Sequence, residues 1–470
     1  MGLWSRKSID ATAETEGRPA LRRTLGPTHL IALGVGAIVG TGIYTLIGVG
    51  ADRAGPAVIL SFLIAGAICA CVALCYGELA SMMPAAGSAY TYSYAAIGEL
   101  VAWIVGWALV LEYSVVCAAV AVGWSGYTAG FMTSIGLPLP PELTAGPDAG
   151  GIINLPAVLI LFAVAGLLSL GTRESARINT VLVILKVAAL IVFIALAAPH
   201  FDASHFTPFM PTGFTAVTHD DGVTRGVMAA AAIIFFAFYG FDAVSTAAEE
   251  TKNPSRDLAI GVIGSMVLCT ALYMAVGAVA VGAMAPADFA RSDEPLSLIL
   301  RTLGYPGVAA AVAGVAVLAL PTVILAFLFG QSRIFFVMAR DGLLPGWLGS
   351  VNEKRGAPVL VTLVTAALVS IIAGLLPLGE IAALANAGTL AAFIAVGASL
   401  LMLRLRDPAR VRPFRTPAAW VLAPAAILGC LYLFISLPPA TQIRFFIWIA
   451  VGLVVYAAVH FGRGRTKSIT

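Results

Sequence analysis

Charged side chains are scarce in this chain: Asp, Glu, Lys and Arg together make up 11% of its 470 residues. Soluble globular domains are usually about a quarter charged. A folded body of this size would therefore present too few charges to water, and the formal net charge of +3 indicates no particular partner. This scarcity excludes a cytosolic enzyme, a nucleic-acid-binding domain and a disordered scaffold.

Residues that ligate metals or form disulfides are also few, with five histidines and six cysteines. All six cysteines lie inside apolar runs, and their spacing matches neither a zinc site nor a secreted disulfide framework. We interpret them as small buried hydrophobic residues. The histidines lie near or beyond the ends of the apolar runs, so no catalytic or metal-ligand cluster is expected at membrane depth. The sequence therefore predicts neither a metal nor a cofactor, and an intramembrane enzyme is disfavoured.

Apolar residues are what the chain has in abundance. They make up 60% of it, and the mean hydropathy is +0.97. A membrane-spanning helix needs about 20 consecutive apolar residues. Charges, prolines and glycines divide the chain between residues 27 and 461 into twelve such runs, and no polar stretch is long enough for a separate soluble domain. The sequence thus predicts an all-α membrane protein with twelve transmembrane helices.

The distribution of positive charge predicts how the chain is oriented. If the N-terminus lies inside and the spans alternate, 21 of the 27 Lys and Arg residues fall on the inner side. Cytoplasmic loops of membrane proteins carry such an excess of Lys and Arg. We therefore predict a multi-pass protein of the cell (inner) membrane, with both termini in the cytoplasm.

Span one contains four glycines within nine residues, at Gly34, Gly36, Gly40 and Gly42. Each weakens a helix by about 1 kcal/mol relative to alanine. Unwound backbone at membrane depth survives only where it lines a protein or water-filled cavity. The alternative is close helix packing through Gly36 and Gly40, as in other small-xxx-small motifs.

Span six carries a second interruption, where Tyr239 and Gly240 precede the carboxylate of Asp242. The interrupted spans are five helices apart, as expected for an inverted five-plus-five repeat whose corresponding segments form a site at the midplane. Half-helix N-termini suit a carboxylate, and unpaired carbonyls suit an ammonium. The two breaks together predict a clamp for an α-amino acid.

Three ionisable residues near the middles of predicted spans are candidates for a functional role. Lys186, central in span five, is predicted to carry a proton during transport, since burial lowers the proton affinity of a lysine; the alternative is a structural cation. Glu112 in span three either neutralises Lys186, binds a cationic substrate side chain or anchors helix packing. Asp242 either contacts substrate or caps the second half of span six.

Seven motifs distributed over nearly the whole chain resemble the amino acid–polyamine–organocation (APC) superfamily, and within it bacterial members of the cationic amino acid transporter (CAT) family. Together these motifs are highly specific, although each alone is weak. They are GVGAIVGTGI at 34–43, YGEL at 76–79, PAAGSAY at 84–90, FDAVSTAAEE at 241–250, KNPSR at 252–256, GQSR at 330–333 and ARDGLLP at 339–345.

The resemblance implies the LeuT-type fold, with two inverted five-helix repeats followed by two further helices. On this chain it implies a cytoplasmic segment at 1–26, repeats at 27–198 and 224–403, helices eleven and twelve at 417–461 and a cytoplasmic tail at 462–470. The implied substrate carboxylate site is Ile38, Gly40, Thr41 and Gly42. The implied amine site, with an aromatic side chain that closes the outer gate, is Phe236, Ala237 and Tyr239.

In proton-coupled relatives a lysine of helix five replaces the sodium ion, and Lys186 matches it. The resemblance therefore predicts a secondary transporter that imports L-amino acids, small neutral or cationic, by alternating access with proton coupling. The alternative is an amino acid exchanger without obligatory proton coupling; a channel is disfavoured, because the polar groups converge on one point. The expected partners are the substrate, a proton and the lipid bilayer, and a small membrane subunit stays an open question.

Overall fold

The computed structural model is dominated by helices whose lengths suit a membrane. It describes residues 5–8, 26–83, 87–169, 176–242, 244, 251–350 and 359–466. Most of the predicted N-terminal segment, the end of the predicted tail and most of the stretch 243–250 lie outside these residues. Within the described chain, seven helical stretches are long and apolar enough to cross a membrane, and five further apolar helices have 10–17 residues.

Eighteen α-helices are numbered here in chain order over the described residues. They are α1 (Pro27–Ile38), α2 (Thr41–Tyr44), α3 (Leu46–Ala54), α4 (Val58–Met82), α5 (Ser88–Ala96), α6 (Glu99–Ser134), α7 (Leu155–Ser169), α8 (Ala176–Ala197), α9 (Val227–Ile234), α10 (Pro254–Ala283), α11 (Pro286–Phe289), α12 (Pro295–Thr302), α13 (Pro306–Ala319), α14 (Pro321–Arg340), α15 (Val359–Leu375), α16 (Leu378–Arg406), α17 (Ala419–Ile435) and α18 (Pro439–Thr466).

Regular structure outside these helices is slight. Several short 3₁₀ segments occur, of which Phe235–Phe238 directly continues α9. Two short strands, β1 (Val217–Thr218) and β2 (Thr224–Arg225), pair antiparallel in the loop before α9. Proline stands at the first or second position of many helices, where its missing N–H group would have no intrahelical partner in any case. Pro321 separates α13 from α14 in this way.

The helices pack in two groups around the buried centre. In one group α10 contacts both α1 and α4, while α9 contacts α3 and α4. In the other group α6 contacts α14 and α16. The α7 and α15 helices pack on each other. Interrupted helices therefore belong to the first group, and the long uninterrupted α6 and α16 belong to the second.

A buried ionic cluster joins α4 to the segment after α16. Glu78 is fully buried, and its two carboxylate oxygens accept hydrogen bonds from Arg404 at 3.1 and 2.6 Å. The Arg412 guanidinium lies 3.0 Å from the same carboxylate, and the Thr416 N–H donates to it at 2.7 Å. Because the buried carboxylate is both paired and hydrogen-bonded, its desolvation is compensated. The cluster fixes the 407–418 connection against α4.

Residues 5–8 bind across the ends of two helices. The Lys7 ammonium donates to both oxygens of Asp341, which follows α14, at 2.9 and 3.1 Å. The Ser5 carbonyl accepts the N–H of Glu99 at the start of α6, at 3.0 Å. The same face of the protein therefore carries the described N-terminal segment and the last turn of α14.

Candidate functional site

Both predicted interruptions are confirmed. The first helix ends at Ile38, Val39 and Gly40 are extended, and the chain resumes helical structure at Thr41. The second helix ends at Ile234 and continues as a 3₁₀ segment to Phe238. Tyr239 is then extended, and Gly240 has φ of 107°, a conformation that disfavours any residue with a Cβ atom.

The two interruptions lie against each other. A Cβ atom added to Gly42 would stand 2.2 Å from the Cα of Ala237. A Cβ atom added to Gly240 would stand 2.6 Å from the Cβ of Ala37. Each break thus presents a glycine to an alanine of the other break, and only glycine permits the backbones to approach so closely.

A small cavity of about 230 Å³ lies between the two breaks. The lining residues leave little free space between them, so the cavity is small and nearly closed. Its eleven lining residues come from both interrupted helices, from α6 and from α14, and none carries a charge. They are Ala37, Ile38, Gly40, Thr41, Gly42, Val116, Val120, Phe236, Tyr239, Val323 and Phe327.

Six of the seven residues predicted to bind substrate therefore line one cavity. Ala237, the seventh, is not among the lining residues but packs on Gly42. The lining residues of α6 and α14 were not predicted. Val116 and Val120 are four residues apart, as are Val323 and Phe327, so each pair shares one helix face. Both helices are apolar over most of their surface, and neither lining pair includes a polar side chain that would mark its face.

The carbonyl groups freed at the first break are partly satisfied by side chains of other helices. The Lys186 ammonium donates to the Gly36 carbonyl at 3.2 Å. The Tyr273 hydroxyl of α10 donates to the Ile38 carbonyl at 2.8 Å. At the start of α2, by contrast, the first N–H groups have no intrahelical acceptor. The hydroxyl of Thr41 is buried and has no partner among the described residues. The first break thus offers hydrogen-bond donors toward the cavity.

Lys186 is 1% exposed and bridges two helices. Besides the Gly36 carbonyl, its ammonium contacts the Thr322 hydroxyl of α14 at 3.2 Å. The Tyr44 hydroxyl donates to the Lys186 carbonyl at 2.8 Å, and the Tyr127 hydroxyl donates to the Tyr44 carbonyl at 2.6 Å. Lys186 therefore lies where α1, α2, α8 and α14 meet, beside the first break rather than in the cavity lining. Thr322 was not predicted.

Glu112 and Asp242 lie on another side of the second break. Glu112 is 2% exposed, and its Oε2 atom has no hydrogen-bond partner within the described residues. Its Cβ lies 3.4 Å from the Cβ position of Gly388 in α16. Asp242 is buried and accepts a hydrogen bond from the Tyr113 hydroxyl at 3.2 Å. Neither carboxylate lines the cavity.

Asn386 of α16 holds the second break in place and was not among the predicted site residues. Its amide nitrogen donates to the carbonyls of Ala232 and Ile233 at 2.6 and 2.8 Å. Its amide oxygen accepts a hydrogen bond from the Tyr239 hydroxyl. The side chain is fully buried, so these bonds replace those that the backbone loses where α9 unwinds. A buried amide within an apolar run was the signal available in the sequence.

A buried cavity between two interrupted helices, in a chain of many apolar helices, defines a polytopic membrane transporter. The chain belongs to the amino acid permease family of the APC superfamily, whose model matches residues 25–458. Permeases of this family are integral membrane proteins and not enzymes.

Three curated proteins illustrate the similarity. The branched-chain amino acid permease BcaP of Bacillus subtilis is 45% identical over 459 residues, which cover 97% of each chain. The methylthioribose transporter of the same organism is 40% identical, with the same coverage. A vacuolar cationic amino acid transporter 2 of Arabidopsis thaliana is 38% identical over 86% of this chain and 64% of its own.

Proposed function

We propose that this permease imports small neutral L-amino acids with aliphatic side chains by alternating access, coupled to protons through Lys186. The observation that carries the proposal is the apolar cavity between two mutually packed helix breaks. Backbone groups at the breaks recognise the α-carboxylate and α-ammonium, which are common to all amino acids. The side chains around them then select among amino acids.

The packing pattern supports twelve transmembrane helices in two inverted repeats of five. Counted as spans, α4 is the second, α6 the third, α7 the fourth, α10 the seventh, α13 with α14 the eighth and α15 the ninth. The second span packs on the seventh, the third on the eighth and the fourth on the ninth. Two-fold related halves produce such pairs. The repeats would occupy 27–198 and 224–403, followed by two further helices at 417–461.

Each part of the cavity has a role in this proposal. The N–H groups at Thr41 and Gly42 bind the carboxylate, because a half-helix N-terminus carries partial positive charge. Ile38 and Gly40 complete that side of the cavity. Backbone carbonyls at Phe236, Ala237 and Tyr239 bind the ammonium, and the Phe236 ring closes the outer gate.

The lining favours an aliphatic substrate side chain over a cationic one. Val116, Val120, Val323 and Phe327 present apolar surface, and the carboxylates of Glu112 and Asp242 do not line the cavity. An unpaired cationic side chain would lose its hydration there without compensation. The similarity to a branched-chain amino acid permease agrees with this preference.

The methylthioribose transporter raises a second candidate, but the cavity favours it less. A ribose needs several hydrogen-bond partners when it is buried. Thr41 and Tyr239 are the two hydroxyl residues in the lining, and the Tyr239 hydroxyl already bonds Asn386. An amino acid needs only the backbone groups that the breaks supply.

Proton coupling is proposed from the position of Lys186. Its ammonium, held between the Gly36 carbonyl and the Thr322 hydroxyl, ties α1 to α14. In the proposed cycle the charged lysine stabilises the closed arrangement, and proton release toward the inner side loosens it. The excess of Lys and Arg on one side supports cytoplasmic termini in the bacterial plasma membrane.

Purified protein in proteoliposomes tests the substrate class. We expect leucine, isoleucine and valine to raise the melting temperature, because a ligand that binds the folded state alone stabilises it. Their uptake should increase with an inward proton gradient. Stabilisation by arginine or methylthioribose but not by these three would contradict the substrate class. Exchange at the same rate with and without a pH gradient would favour the exchanger.

The coupling role is tested separately with Lys186→Ala. We expect this variant to lose the dependence of uptake on the proton gradient. Lys252→Ala is the matched control, because Lys252 is exposed just before α10, whereas Lys186 is buried beside the first break. Uptake by Lys186→Ala that still follows the gradient as in the unmodified protein would exclude the coupling role and leave the substrate class intact.

A further inference from the structure

A groove of about 720 Å³ lies beside α10, apart from the central cavity. One wall is the face of α10 that runs from Arg256 to Gly264. The other wall is Pro413 and Phe414, in the connection that follows α16. The exposed surface of the groove is mostly apolar, and Arg256 is the charged residue in its lining.

The groove runs from the charged start of α10 along the apolar part of that helix. Arg256 and Asp257 are the last charged residues before the apolar run of α10, which begins at Leu258. Gly264 lies eight residues beyond Arg256, which corresponds to about 12 Å at 1.5 Å per residue. With the bilayer boundary at the start of this apolar run, the cation stands at headgroup level, while Ile260, Ile263 and Gly264 line the groove at the depth of lipid acyl chains. This order of charge and apolar surface matches the order of groups in a phospholipid.

The charge of Arg256 is uncompensated. Its side chain is exposed, and its guanidinium has no hydrogen-bond or ion-pair partner in the part of the chain that the structure describes. Arg404 in the last turn of α16 and Arg412 in the connection after it are not available in this way, because both pair with Glu78. The groove thus presents an available cation above an apolar slot, which is complementary to an anionic headgroup above an acyl chain.

The wall of the groove that Pro413 and Phe414 form is held rigidly. The Phe414 N–H donates to the Ser81 hydroxyl at 3.3 Å, and the Phe414 ring lies 3.2 Å from the Cβ position of Gly77. The Thr416 hydroxyl donates to the Leu74 carbonyl at 2.9 Å. With the Glu78 cluster, these contacts fix Phe414 on α4. The groove is therefore formed before any ligand enters it.

We propose that this groove binds one anionic phospholipid of the bilayer, with the phosphate on Arg256 and an acyl chain along α10 between Ala259 and Gly264. The lipid would contact α10 on one side and the 407–418 connection on the other. Because α10 packs on α1 and α4, the bound lipid stabilises the group of helices that contains both breaks. This site is independent of the identity of the transported solute.

The test is native mass spectrometry of the purified protein in an equal mixture of phosphatidylglycerol and phosphatidylcholine. We expect one phosphatidylglycerol to be retained preferentially. Arg256→Gln should lower that preference about fivefold, since a basic residue at the membrane surface contributes about 1 kcal/mol. Arg256→Lys should keep most of the preference. Arg291→Gln, which removes an exposed arginine from the loop after α11, should leave it unchanged.

Two further measurements bear on the acyl chain and on folding. Glycerol phosphate, which has the anionic group without chains, should neither bind in the same assay nor raise the melting temperature. Phosphatidylglycerol should raise the melting temperature of the unmodified protein more than that of Arg256→Gln. Equal retention of both lipids, a preference that Arg256→Gln keeps, or binding of glycerol phosphate alone would each overturn the proposal.

Discussion

The Cα of Ala237 stands 2.2 Å from the place that a Cβ atom on Gly42 would occupy. A Cβ atom added to Gly240 would likewise stand 2.6 Å from the Cβ of Ala37. The backbones of the two helix breaks therefore come close together because Gly42 and Gly240 have no Cβ atom. The cavity exists because the unwound segments face each other across this contact. A larger residue on either side must separate the breaks.

We expect Gly42→Ala to reduce uptake strongly. The added methyl group meets backbone atoms of Ala237, which cannot rotate away, and overpacking of this kind costs about 1–3 kcal/mol. Uptake in proteoliposomes should fall about tenfold or more. Gly166→Ala is the control, because that glycine lies in α7 with open space around its Cβ position. Normal uptake by Gly42→Ala would contradict the proposed geometry.

Asn386→Leu should destabilise the protein and weaken substrate binding. It leaves the carbonyls of Ala232 and Ile233 and the Tyr239 hydroxyl without their partner. Each buried polar group left unpaired costs about 1–3 kcal/mol. Thermal unfolding should show a lower melting temperature, and the KM for substrate should rise.

Tyr239→Phe, which removes only the hydroxyl, provides the comparison for Asn386→Leu. It should cost less stability, since Asn386 keeps both donated hydrogen bonds. Equal melting temperatures for Asn386→Leu and the unmodified protein would show that the amide does not hold the break.

Two carboxylate variants separate buried from exposed ion pairs. Glu78→Gln should lower stability by about 3–5 kcal/mol, since Arg404 and Arg412 would remain in a site with little access to water. Glu380→Gln should change it by less than about 1 kcal/mol, because Glu380 and Arg444 are each close to half exposed. Melting temperatures in the same detergent check both. If both variants lost similar stability, burial would not determine how much each ion pair contributes.

The pH dependence of stability should change in Glu294→Gln. Burial raises the pKa of Glu294, and Arg301 only partly opposes this shift. A carboxyl group with a raised pKa contributes stability in acid that is lost as the pH rises through its folded-state pKa. Glutamine cannot ionise, so the variant should gain melting temperature relative to the unmodified protein at pH 7 and lose that gain near pH 4.

Asp202→Asn is the control, because the pKa of Asp202 is shifted in the opposite direction from that of Glu294. The Ser204 N–H donates to Asp202 and lowers the pKa of that carboxyl group. Its contribution is therefore present above the ordinary aspartate pKa and lost as the pH falls. Any effect of Asp202→Asn should be a loss at pH 7. A gain at pH 7 in both variants would contradict the assignment for Glu294.

The sequence by itself determined the class of protein, the place of both helix breaks and the burial of Lys186. These are local properties, because the scarcity of charge fixes the solvent, glycine weakens its own helix, and a charged residue in an apolar run is costly wherever it packs. The residues named at the breaks therefore include six that line the cavity.

Only the tertiary structure decided which groups meet. The contact of Lys186 with Thr322 joins residues 136 positions apart, and Asn386 reaches Ile233 across 153 positions. In a water-soluble helix an apolar stripe marks the inward face. These helices are mostly apolar on all sides, since one side faces lipid and the other faces protein. Their sequences therefore specify that they cross the membrane, while side-chain packing alone selects the neighbours.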